Sequence, residues 1–103
     1  MQPLQVIAAP RRLRILELVW EDELAAGDIA AAFDVSWSAI SQHLTVLKTA
    51  GFVVERRDGR SRRYRADQTA LGPLRSAVEA QWRGGLGRLK ELAEAEQRAK
   101  DST

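Results

Sequence analysis

The stretch Asp34-Val35-Ser36-Trp37-Ser38-Ala39-Ile40-Ser41-Gln42-His43-Leu44-Thr45-Val46-Leu47-Lys48-Thr49-Ala50-Gly51 decides how the rest of the chain is read. Ser36 suits an N-cap, because its hydroxyl can accept from the free N–H groups of a first helical turn. Gly51 suits the position just past a helix end, where the backbone turns left-handed at little cost to glycine. Between them Ile40, Leu44 and Leu47 recur at helical spacing and form one apolar stripe. Ser38, Ser41, Gln42 and Thr45 lie mostly off that stripe, and His43 sits towards its edge. The spacing therefore predicts a helix anchored on one side, with short hydrogen-bonding groups on the other, near its N-terminus. Such groups suit a DNA groove: Gln pairs bidentately with adenine, Ser pairs with several base edges, and a helix N-terminus favours phosphate. A solvated polar face on an ordinary amphipathic helix explains this stretch alone equally well. The flanking segments decide between the two.

The chain has 103 residues, enough for one domain with a modest core and small enough for a second subunit to matter. It holds no run of about eighteen apolar residues, so no membrane-spanning helix is expected. Met1 to Pro10 lacks a basic region before its short apolar stretch and does not read as a signal peptide. Cysteine is absent, which excludes disulfides and thiolate metal sites and fits a cytoplasmic location. The net charge of +2 hides an uneven distribution. Glu55 to Arg65 holds six arginines (56, 57, 60, 62, 63, 65) against Glu55 and Asp58, a balance of +4. Glu17 to Asp34 holds six acids and no lysine or arginine, a balance of −6. A basic patch on a near-neutral chain points to a local anionic partner.

Taken in order, Pro3 to Ala8 predicts a short helix with Leu4, Ile7 and Ala8 on one face and Pro3 in its first turn. Pro10 opens a second helix running to about Trp20, with Leu13, Leu16 and Trp20 inward and Ile15, Leu18 and Val19 widening the buried face. Arg11, Arg12 and Arg14 in its first turns are expected as a solvated basic cluster rather than as phosphate contacts. Trp20 to Leu24 is an acidic turn. Ala25 to Phe33 follows as a short helix with Ile29 and Phe33 facing in, and Asp34-Val35 turns tightly into the Ser36 helix. Two helices so linked, the second with exposed polar groups, match a helix-turn-helix. Trp37 is expected to pack on the preceding helix rather than to touch a thymine methyl.

After Gly51 the period changes. Phe52-Val53-Val54 is β-rich, Asp58-Gly59 is a strong hairpin signal, and Ser61 to Arg65 returns as a second strand with Tyr64 packed. At about 3.3 Å per residue, such strands carry the arginine-bearing tip roughly 15–20 Å from the helix end, far enough to reach DNA beside the major groove. A charge-protected sheet edge is the plainer explanation, but six arginines directly after a helix-turn-helix favour DNA. Asp67 to Lys100 returns to helix: Leu71, Leu74, Val78, Trp82, Leu86, Leu89 and Leu92 step by three or four residues, interrupted by Gly84, Gly85 and Gly87. Either the helix breaks at the glycines or two backbones approach closely there. The stripe is longer than one small core covers, and a partner helix from a second copy accounts for it. The fold class is thus mainly α with a small β-hairpin, in one domain: recognition region 34–51, wing 52–66, C-terminal helix or helices 67–100.

This order of elements resembles the ArsR/SmtB family of winged-helix transcriptional repressors, from about Leu4 to Leu92. The resemblance is carried by Pro10-Arg11-Arg12-Leu13-Arg14-Ile15-Leu16, by Gly27-Asp28-Ile29-Ala30, by Ser38 through Val53, and by Arg57-Asp58-Gly59-Arg60 through Tyr64-Arg65. It implies a homodimer joined by the first and last helices, each protomer placing the Ser36 helix in a major groove. The interface residues would be Leu4, Ile7, Leu74, Val78, Trp82, Leu86 and Leu89. Metal-sensing members of the family use cysteines near the third helix or Asp, His and Glu on the last. Here Leu24 to Ala32 has no cysteine or histidine, and His43 is the only histidine. No metal and no cofactor is therefore expected, and the last helix looks more like the metal-independent branch.

The resulting expectation is a DNA-binding, self-regulating repressor in the sense of the family, with double-stranded DNA and a second copy as partners. Ser38, Ser41, Gln42 and His43 are the candidate base-reading residues; Ser36, Lys48, Arg57, Arg60, Arg62 and Arg63 are the candidate backbone contacts. The rival from another class is a winged helix that binds protein through the hairpin and the Trp82 stripe without reading DNA sequence. A small-molecule inducer between the last helices is compatible with the first reading. An enzyme is not expected: the chain has one histidine, no cysteine, and no glycine-rich phosphate loop or nucleophile elbow.

Overall fold

The computed structural model describes residues 1–84 and 88–101. Its helices are α1 (Pro3–Ala8), α2 (Pro10–Leu18), α3 (Ala26–Ala31), α4 (Trp37–Thr49), α5 (Leu74–Trp82) and α6 (Arg88–Asp101). Its strands are β1 (Leu24–Ala25), β2 (Val53–Asp58) and β3 (Ser61–Ala66), in one antiparallel sheet of order β1-β3-β2. The core gathers Ile15, Leu16 and Val19 near α2, Ile29 of α3, and Ile40, Leu44 and Leu47 of α4 against Phe52, Val53 and Tyr64. No helix among the described residues is long and apolar enough to cross a membrane.

Both ends of α4 are closed by local chemistry. Ser36 sits at the N-cap, and its Oγ accepts from the Ala39 N–H at 3.2 Å. At the other end Gly51, with φ +84°, donates to Lys48 O at 3.0 Å, and Phe52 donates to Leu47 O at 3.0 Å. These two bonds make a Schellman motif, which satisfies carbonyls the helix leaves open. The next residue, Val53, begins β2. The glycine therefore turns the helix directly into the wing.

The hairpin turn lies one residue later than Asp58-Gly59 suggests. Asp58 pairs with Ser61, so Gly59 and Arg60 are the two loop residues. Gly59 has φ +63° and Arg60 does not share the positive φ, the pattern of a II′ turn. The third strand is a second departure. Leu24 and Ala25, expected in a turn and at a helix start, pair instead with Tyr64 and Arg63. Two residues are too few to show a period of two, so only the paired partner reveals this strand.

The C-terminal third is not one helix. Residues Thr69–Leu71 form a single 3₁₀ turn, and α5 ends at Trp82, followed by Gly84 at φ +117°. α6 then packs against α1 of the same chain, with Gln5 donating to Gln97 across the pair. The long apolar stripe is thus largely consumed within one protomer. Leu71 and Val78 are buried in the core, and Trp82 meets Trp20 edge-on, with ring centroids 4.8 Å apart. Ile7 and Val78, expected at a dimer interface, have no exposed surface and fill the chain's own core. Leu4, Leu74 and Trp82 are partly buried against it. Leu86 and the Leu89 side chain lie outside the described residues.

Two glycines separate local strain from space. A Cβ at either Gly27 or Gly51 would meet nothing within 4 Å, but only Gly51 has positive φ. Gly51→Ala should destabilise the fold by about 1–2 kcal/mol through backbone strain. Gly27→Ala, inside α3, should stabilise it by up to about 1 kcal/mol through helix propensity. Urea unfolding of both variants checks the opposite signs.

Candidate nucleic-acid interface

Burial of Ile40, Leu44 and Leu47 fixes which side of α4 faces out. Ser38 and Gln42 are exposed on the far side, and Thr45 and Thr49 continue the same exposed face. Thr45 spends its hydroxyl proton on Ser41 O at 3.0 Å, so towards a ligand it offers a methyl and lone pairs. Thr49 lies outside the residues expected at the interface; its place four residues along the Ser38-Gln42-Thr45 row is the sequence signal that identifies it. Ser41 is half-buried at the edge of α4 nearest the wing. There, with Trp37, Lys48, Glu55, Arg62 and Tyr64, it lines a cleft of about 220 Å³ between helix and hairpin.

Trp37 does not pack away. It is 52% exposed, the first residue of α4, at the mouth of this cleft. The N-cap geometry explains it: the first-turn positions precede the stripe, and Val35 and Phe33 already pack against the core at that corner.

His43 lies on the opposite edge of α4, away from the wing. It is half-buried, and its Nδ1 stands 3.4 Å from Arg12 Nη1. Arg12 is not a solvated residue of a basic cluster. Its Nε donates to Val6 O at 2.6 Å and its Nη2 to Gln5 O at 3.1 Å, so it satisfies carbonyls near the C-terminus of α1. Burial, followed by the positive charges of Arg12 and Arg11, holds the His43 pKa below its ordinary value of 6.5. His43 therefore joins α4 to α1 and α2 rather than standing on the outward face. Arg14 pairs with Glu17 of its own helix, and Arg11 is exposed.

The wing divides its arginines by strand alternation. Cross-strand partners share a face of the sheet, and successive residues alternate between faces. The pairs Glu55–Tyr64 and Arg57–Arg62 place these four side chains on the face towards α4, where Tyr64 is buried. The pairs Arg56–Arg63 and Val54–Arg65 place theirs on the opposite face. On that far face Arg56 donates to both carboxylate oxygens of Glu23, at 3.0 and 2.6 Å, and Arg63 donates to Asp58 at 3.0 Å. The Arg56 hydrogen bond and the charges of Arg56, Arg63 and Arg65 depress the Glu23 pKa. Arg63, expected among the backbone contacts, is thus turned from α4 and paired with a carboxylate. Arg57 projects on the α4 side and Arg60 stands at the turn, both exposed.

A capped helix with an outward row of Ser, Gln and Thr, followed by a hairpin that presents arginines beside it, defines a winged helix-turn-helix DNA-binding domain. Residues 9–54 match the profile described as "Bacterial regulatory protein, arsR family". HTH-type transcriptional regulator Rv2034 of Mycobacterium tuberculosis is 38% identical over 92 residues, which span 89% of this chain and 86% of that protein. The chain belongs to the arsR family of bacterial regulatory proteins, and it is a DNA-binding transcriptional regulator, not an enzyme. Among solved structures, a possible transcriptional regulator for arsenical resistance is 40% identical with a TM-score of 0.69, covering 92% of this chain and 96% of that one. The homodimeric winged helix-turn-helix DNA-binding domain Mb0332 from Mycobacterium bovis is 30% identical with a TM-score of 0.68, covering 82% and 79%.

The lowered His43 pKa has a pH consequence. The unfolded chain binds this proton more readily than the folded one, so stability is complete above about pH 6.5 and is lost as pH falls through the folded-state pKa. Thermal unfolding of the wild type should therefore move to lower temperature between neutral pH and pH 5 by more than that of His43→Gln. Equal pH dependence in the two proteins would contradict the placement of His43 beside Arg12.

Proposed function

We propose that the protein is a homodimeric repressor, of the metal-independent branch of its family, that reads an operator through the outward face of α4 and grips the flanking backbone with its wing. The observation that carries this reading is the coincidence of Ser38 and Gln42 on the exposed face with Arg57 and Arg60 on the neighbouring hairpin. Gln42 supplies the bidentate pairing that distinguishes adenine, and Ser38 a hydroxyl near the helix N-terminus. Ser41, from the cleft edge, reads the base edge nearest the wing. Trp37 offers its exposed ring to a thymine methyl or a sugar. The Ser36 hydroxyl accepts from Ala39 and retains its proton for a phosphate. Lys48, Arg57, Arg60 and Arg62 bind phosphates, a task for which Arg63 is poorly aimed. His43 fits a positioning role for α4 better than a base contact.

A second copy is placed against the first and last helices, where Leu4 and Leu74 are partly buried beside an apolar groove also lined by Pro3, Phe52, Leu71 and Pro73. The homodimeric state of the Mycobacterium bovis domain supports the presence of a second copy. Repression needs only occupancy of the operator, which such a dimer supplies. The metal-independent assignment is supported by the absence of cysteine and by a single histidine that is engaged with Arg12.

If each protomer neutralises about three or four phosphates, a dimer neutralises about six to eight, and log K should fall against log salt with a slope near −5 to −7. Gln42→Ala should relax sequence preference, by about 1–3 kcal/mol at the adenine it reads. Arg60→Ala should weaken binding to all sequences alike and reduce the slope by about 1. Fluorescence-anisotropy titrations on matched and mutated duplexes check both. Equal loss of discrimination from the two variants would contradict the division of roles. Binding that ignores salt would instead favour a protein partner.

A further inference from the structure

The near face of the wing carries a carboxylate where a phosphate-binding cleft needs positive charge. Lys48, near the C-terminus of α4, donates from Nζ to Glu55 Oε2 at 2.9 Å. Arg62 Nε lies 3.7 Å from Glu55 Oε1, and the Tyr64 hydroxyl donates to Glu55 Oε2 at 3.4 Å. The Glu55 side chain is only 19% exposed, whereas those of Lys48 and Arg62 are 55% and 57% exposed. One sheltered acid thus draws two outward cations back towards the floor of the cleft between helix and wing. The Lys48 hydrogen bond, then the charges of Lys48 and Arg62 and the Tyr64 hydroxyl, hold its pKa below the usual carboxylate value against the opposing effect of burial.

We propose that Glu55 competes with the DNA backbone for Lys48 and Arg62, and so limits how tightly this domain grips DNA of any sequence. The inference rests on the DNA-binding reading of the same face. Ion pairs whose cations stand this far in solvent add little to folding, so stability alone does not account for a carboxylate at this position. Its effect on binding is larger in kind. Each cation it engages is one that must leave the carboxylate, or be shared with it, before it can neutralise a phosphate and release a counterion. Strand alternation makes Glu55 distinct from Glu23, which faces away from α4 and engages Arg56 on the other side of the sheet.

The test is anisotropy titration of a short random-sequence duplex with the wild type and with Glu55→Gln, over a range of salt concentrations. Glutamine keeps the shape and an acceptor for Tyr64 but removes the charge. At about 0.1 M salt the variant should bind about three- to thirtyfold more tightly, with a salt slope steeper by about one to two. In a Lys48→Gln, Arg62→Gln background the gain should shrink to less than about twofold, because the cations that Glu55 restrains are gone. Glu23→Gln makes the same change in net charge on the far face and should gain correspondingly little. Weaker binding by Glu55→Gln would mean that the carboxylate braces the wing, and would overturn the proposal. So would a gain that survives in the Lys48/Arg62 background, or an equal gain from Glu23→Gln, either of which indicates only general repulsion. A wild type that binds no DNA at low salt would remove the DNA-binding reading as well. Wild-type binding with an unchanged Glu55→Gln would remove the role of Glu55 alone.

Discussion

The orientation of the whole helix-and-wing face depends on the burial of Ile40, Leu44 and Leu47 under α4. Each such side chain contributes about 1.5–3 kcal/mol when taken out of water, whereas the Ser36 cap contributes about 1 kcal/mol. Burial therefore sets the rotation of the helix about its axis, and the caps set where it starts and stops. Once the rotation is set, Ser38 and Gln42 can only face outward, Ser41 and Lys48 can only face the wing, and His43 can only face α1 and α2. The Schellman ending adds the second constraint. By turning the chain at Gly51 and delivering Val53 into the sheet, it fixes the wing beside the outward row of Ser38, Gln42 and Thr45.

Electrostatics then separates the two sides of the wing. A run of arginines reads in sequence as a single positive patch, but the pleat deals the side chains alternately to two faces. On the far face Glu23 and Asp58 engage Arg56 and Arg63 in a ladder of ion pairs. On the near face Glu55 engages Lys48 and Arg62, leaving Arg57 and the turn residue Arg60 as the forward cations. The acidic stretch before the first strand is thus partly a counter-charge for the wing, which explains why a basic hairpin sits in a chain whose net charge is only +2. The same division lets a small domain hold many arginines in a folded hairpin without heavy self-repulsion.

Much of this was legible from local chemistry. Ser36, Gly51 and the apolar row between them predict α4 to within a residue, because capping and helical period act over neighbouring positions. The hairpin and the class of partner were legible for the same reason. What escaped depends on pairing at a distance. Placing Asp58 inside the turn pairs Glu55 with Arg62; the observed turn at Gly59-Arg60 pairs Glu55 with Tyr64, and the two registers give different neighbours to every wing side chain. The strand Leu24–Ala25 exists only through β3. The apolar stripe after Leu71 reads in sequence as a dimer surface because its period says nothing about direction. The break at Gly84 lets α6 run back along α1, so one chain covers Ile7 and Val78 for itself. Trp37, expected to pack on the preceding helix, is left outside the buried stripe by its first-turn position.

In the proposed dimer, two copies of α4 read base sequence. Selecting bound duplexes from a random DNA pool with the wild-type protein and sequencing them would show this. The expected result is enrichment of an inverted repeat whose half-sites are separated by about 10 base pairs, one helical turn, or a multiple of it. Enrichment of no sequence above the starting pool, at a salt concentration where the protein still binds DNA, would contradict it.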